Sequence, residues 1–345
     1  MVQVAPRQAG ADASPWLAAM QSLRQVPDEA IGLMLDLPFC AWRCLYCLKD
    51  VESGWHPASM QAYVDALVRQ IEQVSAHVDG QQPVALVDFG GGSPNHLQMP
   101  LLARLSDTLR RCFPAATEAE WSIACDPRRG SAAQMAELRA LGFQHLRLGQ
   151  ADPDAGVQAV AGRMQSQRLM ADVIGLARAA RMRSVQLDVV CGLAGQNEEG
   201  WAASLQSLVD LGAERIRVLC AEQVSPGCGN AVIDGPDPAV LERLRRRTLH
   251  TLAAAGYRRI GEDLFVLDDD PLAQAQDEGR LARCGLHFAE RPVPHALAFG
   301  PGNCSEVRGV RARSIGLREA WRAALEAGDW ALDDVAAIAP LERDR

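Results

Sequence analysis

Several familiar signatures are missing from this chain. The first thirty residues lack the basic start and continuous apolar run of a secretory signal, and no later window is long and apolar enough to span a bilayer. A cytoplasmic location is therefore expected. Positive charge is also in deficit: 35 Lys and Arg against 43 Asp and Glu give a formal net charge of −8 and a pI near 5.4. That balance argues against nucleic acid as the main partner, because phosphate recognition rests on a basic surface. No internal repeat or low-complexity block is found. Most of the ten cysteines stand singly in apolar runs of a long chain, unlike the framework of a small disulfide-bonded domain.

What is present is a regular alternation. Ile31 to Leu37, Val84 to Phe89, Trp121 to Cys125, His145 to Leu148, Val185 to Cys191 and Ile216 to Cys220 are short β-rich runs, separated by amphipathic stretches. Helix punctuation agrees with this periodicity. Ser59 caps a run to Val78, Leu141-Gly142 closes another, and Asp237-Pro238 opens one that stops at Gly256. Six βα units predict an α/β fold with a parallel sheet covered by helices, either closed into a barrel or open and doubly wound. In both, ligands gather at the carboxyl ends of the strands. The expected organisation is an N-terminal extension over 1–29, a barrel over 30–256 and a C-terminal appendage over 257–345. Within the appendage, Tyr257 to Leu267 reads as one strand and Leu317 to Ala327 as a helix.

One group of cysteines is clustered. Cys40, Cys44 and Cys47 lie on a tight loop directly after the first strand. Soft thiolates at this spacing suit zinc or an iron-sulfur cluster. A structural zinc site needs four protein ligands, and no second Cys or His pair stands at a zinc-finger distance. Three ligands leave one coordination position open. After the second strand, Gly90-Gly91-Gly92-Ser93 offers a backbone that can approach a ligand closely, although such a run is also an ordinary turn.

CxxxCxxC after a first strand, with this glycine run after the second, resembles the radical S-adenosylmethionine superfamily, nearest to the oxygen-independent coproporphyrinogen III dehydrogenase family and related to its haem-chaperone branch. The likeness continues through Leu138 to Phe143, Leu148-Gly149, Leu187 to Leu193 and Gly256 to Leu281, covering about residues 30 to 335. The resemblance implies a partial (β/α)6 barrel and a [4Fe-4S] cluster on Cys40, Cys44 and Cys47. Its free iron would chelate S-adenosyl-L-methionine, cleaved on reduction to a 5′-deoxyadenosyl radical. It also implies that Tyr46 lies near the adenine, that Gly91, Gly92 and Ser93 meet the methionyl amino group, that Arg163 meets the cofactor carboxylate and that Asp188 meets the ribose hydroxyls. The implied activity is oxidative decarboxylation of propionates to vinyl groups, with a tetrapyrrole substrate and a reducing electron donor as partners.

Departures from the family pattern bear on turnover. Lys49 replaces a fourth cysteine, Met34 and Asp36 replace Tyr and His, and Phe89 replaces Trp. Ala124 stands where a carboxylate is expected and Ala151 where a glutamine is, with Gln150 beside it. Two lost charge-assisted hydrogen bonds at about 1.5 to 3 kcal/mol each would weaken cofactor binding by a factor on the order of a hundred or more. The chain also stops short of the family's helical lid. These departures keep two alternatives open: a catalytically impaired haem or porphyrin carrier, and a radical enzyme acting on another substrate. Arg243 with Arg245-Arg246-Arg247 reads as a solvated helix face. His145, His287 and His295, like Cys125, Cys191, Cys220 and Cys284, read as packing or surface residues.

Overall fold

The computed structural model describes residues 11–47, 51, 56–221, 237–285 and 287–338. Six strands run parallel and neighbour one another in chain order: β1 (Ile31–Leu37), β2 (Val84–Gly91), β3 (Glu120–Cys125), β4 (His145–Ala151), β5 (Ser184–Cys191) and β6 (Arg215–Cys220). Near-continuous burial along β2 and β5 is what a parallel sheet packed on both faces requires. The crossovers are α2 (Pro57–Ser75), α3 (Met99–Cys112), α4 (Ala132–Ala140), α5 (Ala155–Ala161) with α6 (Gln167–Ala179), and α7 (Glu198–Asp210), while α1 (Ser14–Ser22) precedes the sheet and α8 (Pro238–Ala254) follows β6.

The caps follow the sequence with one shift. Asp237 accepts from the backbone of Ala239 and Val240 at the start of α8, and Gly142, at φ +96°, follows the end of α4. His56, not Ser59, occupies the N-cap of α2. Ser59 is its reciprocal partner, accepting from the His56 N–H at 3.2 Å, and the helix ends at Ser75.

The arc formed by β1 to β6 does not close on itself. Residues after Gly256 extend the same sheet at both edges, giving the order β14-β13-β12-β11-β1-β2-β3-β4-β5-β6-β8-β7. Beside β6 lies β8 (Leu264–Leu267), antiparallel, in a hairpin with β7 (Tyr257–Ile260). The expected single strand is thus two, because Gly261 turns the chain at φ +60° and the Phe288 ring leaves no room there for a Cβ, which would sit 2.4 Å away. Beside β1 lies β11 (His295–Phe299), parallel, and then β12 (Cys304–Val307), β13 (Val310–Ser314) and β14 (Leu332–Ala337). Three further elements complete this part: α9 (Pro271–Asp277), the small hairpin of β9 (Ala282–Cys284) with β10 (His287–Ala289), and α10 (Arg318–Ala327). The N-terminal helix α1 packs on β12 and β13, burying Trp16 and Met20. Among the described residues no helix is long and apolar enough to cross a membrane.

Phe89, in the family's Trp position, is fully buried against Trp121 and Phe143 at ring separations of 5.9 and 5.0 Å. Its exchange therefore alters aromatic packing in the core.

Arg215 on β6 ties the barrel to the C-terminal part. It donates to both carboxylate oxygens of Asp270 at 2.7 and 3.0 Å, and Asp270 also caps α9 by accepting from Leu272 N at 2.9 Å. Both side chains are buried. Asp270→Ala leaves a buried guanidinium without its counter-charge, and about 3 to 5 kcal/mol of unfolding free energy should be lost. Urea denaturation followed by tryptophan fluorescence reads this directly, and a loss under 1 kcal/mol would mean that water already screens the pair.

Candidate active site

The cysteine loop is held at both ends by backbone hydrogen bonds. Where β1 ends, Leu37 O accepts from Phe39 N at 2.8 Å and from Gly92 N at 3.0 Å, and Phe39 O accepts from Ser93 N at 2.8 Å. Phe39 is buried edge-on to Tyr63 at 5.4 Å, and Tyr63 donates its hydroxyl to Asp36 O at 2.8 Å. At the far end Cys47 N donates to Cys44 O at 3.1 Å, while Leu45 N donates to Ala161 O in α5 at 3.0 Å. The glycines are required by contact. Gly91 has φ +90°, and a Cβ on Gly92 would lie 2.9 Å from Phe39 N and 3.0 Å from Cys40 Sγ.

Cys40, Cys44 and Cys47 line one cavity of about 420 Å³ with Tyr46, Gly91, Gly92, Ser93, Arg163 and Asp188. All nine residues singled out in the sequence therefore face the same space, although they come from four separate parts of the chain: the loop after β1, the end of β2, the segment after α5, and β5. Among the described residues no three His, Cys, Asp or Glu side chains converge closely enough to grip a single ion. Thiols spread around a cavity suit a polyatomic cluster better than one tetrahedral zinc.

The electrostatics centre on Arg163. Its guanidinium donates to Cys44 Sγ at 3.2 Å, to Gly149 O at 2.8 and 3.1 Å and to Gln165 Oε1 at 3.2 Å. Burial works against its charge, but Tyr46 and Cys44 more than offset this, and its pKa lies above the ordinary arginine value. Burial raises the Cys40 thiol, partly opposed by the Ser93 hydroxyl at 3.8 Å. Burial likewise raises Tyr46. Asp188 accepts from Gln186 Nε2 at 2.6 Å. Arg163 thus reaches the cysteine loop through Cys44 and lines the cavity where the resemblance implies a cofactor carboxylate.

Among the cavity-wall residues not singled out as site residues are Asp88, Arg147 and His287. Asp88 on β2 is buried and bonded to Arg147 of β4 at 2.5 Å, to the Ser122 hydroxyl and to His287 Nε2 at 3.2 Å. Burial alone would raise its carboxyl, but Arg147 and His287 hold it well below the usual range. Read as a packing residue in the sequence, His287 therefore belongs to the cavity wall. The available signal was a charge at inward positions of otherwise apolar strands. Ala124 lines the cavity, and its register partner on β4 is Arg147. Where the family pattern calls for a carboxylate, this barrel presents a methyl group beside a guanidinium. Gln150 and Ala151 lie outside the cavity lining. The β4 to β5 register shifts there, Ala151 takes φ +47°, and Gln150 is fully buried with neither amide atom hydrogen-bonded.

The remaining sequence candidates separate plainly. His145 bonds Ser184 at 2.8 Å and burial keeps it neutral, while His295 bonds Glu29 at 2.7 Å. Arg243 and Arg247 pair with Glu198 and Arg246 with Glu242 on the surface of α8, whereas Arg245 turns inward to Cys220 Sγ at 3.1 Å. Lys49 lies outside the described residues. The contacts at Gly92 predict that Gly92→Ala pushes the cysteine loop outward. Iron and sulfide content after anaerobic reconstitution should fall clearly below wild type with the far-UV circular dichroism unchanged; full loading would show that the loop yields freely.

No family model matches the chain. It is 34% identical over 273 residues to the oxygen-independent coproporphyrinogen III oxidase of Pseudomonas aeruginosa and 31% identical over 301 residues to that of Synechocystis. These alignments take in 77% and 86% of this chain, which spans 59% and 64% of the length of the two relatives. Among solved structures, the coproporphyrinogen III oxidase of Escherichia coli, described as a radical SAM enzyme, superposes with a TM-score of 0.86 at 26% identity, over 98% of this chain and 78% of that one. The thiol loop, the glycine segment against it and the six-stranded arc that carries them share one explanation: this chain belongs to the radical S-adenosylmethionine superfamily, and within it to the oxygen-independent coproporphyrinogen III oxidase family.

Proposed function

We propose that this chain is a cytoplasmic radical S-adenosylmethionine oxidoreductase whose substrate is a tetrapyrrole bearing propionates, coproporphyrinogen III first among them. The observation that carries this reading is the convergence of three thiols, a cation and two close-approach glycines on one cavity. Cys40, Cys44 and Cys47 would hold a [4Fe-4S] cluster, and the donor set fits it: three soft ligands on one cavity, with the Arg163 guanidinium bonded to Cys44 Sγ. Gly91, Gly92 and Ser93 would present backbone and hydroxyl to the methionyl end of S-adenosyl-L-methionine, Tyr46 would pack on its adenine, and Asp188 would accept from its ribose. When bound, this pair supplies a one-electron route to hydrogen abstraction from an unactivated carbon. The chain's own task is to exclude water and to orient the substrate. Arg147 and Arg217 on the cavity wall are the cations suited to propionates.

A second reading, a haem or porphyrin carrier without turnover, is favoured by one specific observation: Ala124 beside Arg147 puts positive charge where an ammonium group would need a carboxylate. One experiment separates the two. Anaerobically reconstituted protein is reduced with dithionite, given S-adenosylmethionine, and assayed for 5′-deoxyadenosine by chromatography, alongside Cys44→Ala. The expected result is nucleoside from wild type and none from the variant. Normal iron loading without nucleoside, together with stoichiometric haem binding in a spectrophotometric titration, would give the carrier reading its support and end the first.

A further inference from the structure

Among the described residues, three acids line the cavity that holds the thiols: Asp36 on β1, Asp88 on β2 and Asp188 on β5. Two of them are engaged away from the cysteine loop. Asp88 is buried against Arg147 and His287, and Asp188 accepts from Gln186 at 2.6 Å, three strands further round the arc.

Asp36 has different surroundings. It is half-buried, and a Cβ on Gly91 would collide with its Oδ1, so the carboxylate rests directly on the glycine segment. Only glycine at this position leaves room for the acid. The next residue, Gly92, is in turn packed on the first thiol: a Cβ there would sit 3.0 Å from Cys40 Sγ. Tyr63 fixes the backbone behind Asp36 by donating to its carbonyl oxygen at 2.8 Å.

The cysteine loop is therefore bracketed by opposite charges. Arg163 reaches it at Cys44, 3.2 Å from the sulfur, and Asp36 reaches it through the glycines that pack on Cys40. Such a pair suits an α-amino acid group. Its carboxylate takes the guanidinium, and its amino group, whether charged or metal-bound, keeps N–H donors for an acid. On β3 the wall offers only the methyl group of Ala124 beside the Arg147 guanidinium. An amino group is disfavoured there and drawn towards β1.

We infer that Asp36 accepts from the α-amino group of bound S-adenosyl-L-methionine, so that the acid absent from β3 is supplied from β1. The inference rests on the reading that the cavity takes this cofactor. On it, Ala124 no longer argues against cofactor binding. The rival is a structural role, because Asp36 also lines a second cavity, of about 260 Å³, with Asn303 and Arg318.

Equilibrium binding separates the two without any turnover. Cluster-loaded wild type, Asp36→Asn and Asp36→Ser are dialysed anaerobically against S-adenosylmethionine, and against its analogue with hydrogen in place of the α-amino group. Both substitutions should raise the Kd for S-adenosylmethionine about tenfold or more, while the Kd for the analogue stays within about twofold of wild type. Equal weakening for both ligands, or none for either, overturns the assignment. So does failure of both variants to load iron, which would make Asp36 a support of the cysteine loop. Iron-loaded wild type that binds neither ligand ends the proposed function and the assignment with it, whereas wild-type binding that the substitutions leave unchanged ends the assignment alone.

Discussion

The site depends on one close approach of two backbones. Leu37 O at the end of β1 accepts from both Phe39 N and Gly92 N, and that fork holds the start of the cysteine loop against the end of β2. A side chain at Gly92 would collide with the Cys40 sulfur and the Phe39 amide, and one at Gly91 would meet the Asp36 carboxylate. The loop has no regular secondary structure to define it, so its shape is borrowed from its neighbours: β2 at one end and α5 at the other. Pre-organisation of the thiols follows from that borrowing, since ligands that are already placed lose little conformational freedom on taking up a cluster.

The charges inside the barrel obey a second constraint. A buried ion is tolerated only when paired and hydrogen-bonded. Each interior cation in this arc meets it with a partner from a different strand or loop: Arg147 with Asp88, Arg215 with Asp270, Arg217 with Asp263 and Arg163 with the Cys44 sulfur and Gly149 carbonyl. Because Lys49 is the chain's only lysine, all of these are guanidiniums. Their planar fork can bridge two acceptors at once, as Arg215 does with both oxygens of Asp270.

Much of this could be read in the sequence, for a physical reason. The six strands β1 to β6 were found within a few residues, because strands buried on both faces carry apolar runs that turn residues interrupt sharply, whereas the parallel β11 beside β1 was not. The three thiols and the glycines were legible because their spacing is local. What could not be read is what depends on tertiary pairing. Nothing local marks Arg147 as the neighbour of Ala124, or His287 as the partner of Asp88 some two hundred positions away. The single strand expected over Tyr257 to Leu267 failed at Gly261, where the turn is fixed by a distant ring, Phe288. Likewise His56 took the N-cap expected of Ser59, since an extended backbone at the cap and a reciprocal Ser at the third position satisfy the same donors.

The C-terminal part bears on the chemistry more than its place at the sheet edges suggests. Gly285, His287, Ala298, Asn303 and Cys304 line the cavity together with the three cysteines. His287 is a second partner of Asp88, and Asp88 in turn holds Arg147 beside Ala124. The Arg147 guanidinium beside Ala124 is therefore held from outside the six βα units as well: Asp88 receives it, and a histidine of the C-terminal hairpin meets Asp88 from β10. These positions form one connected network, so the effect of Ala124 on the cavity is a property of the group and not of any single residue.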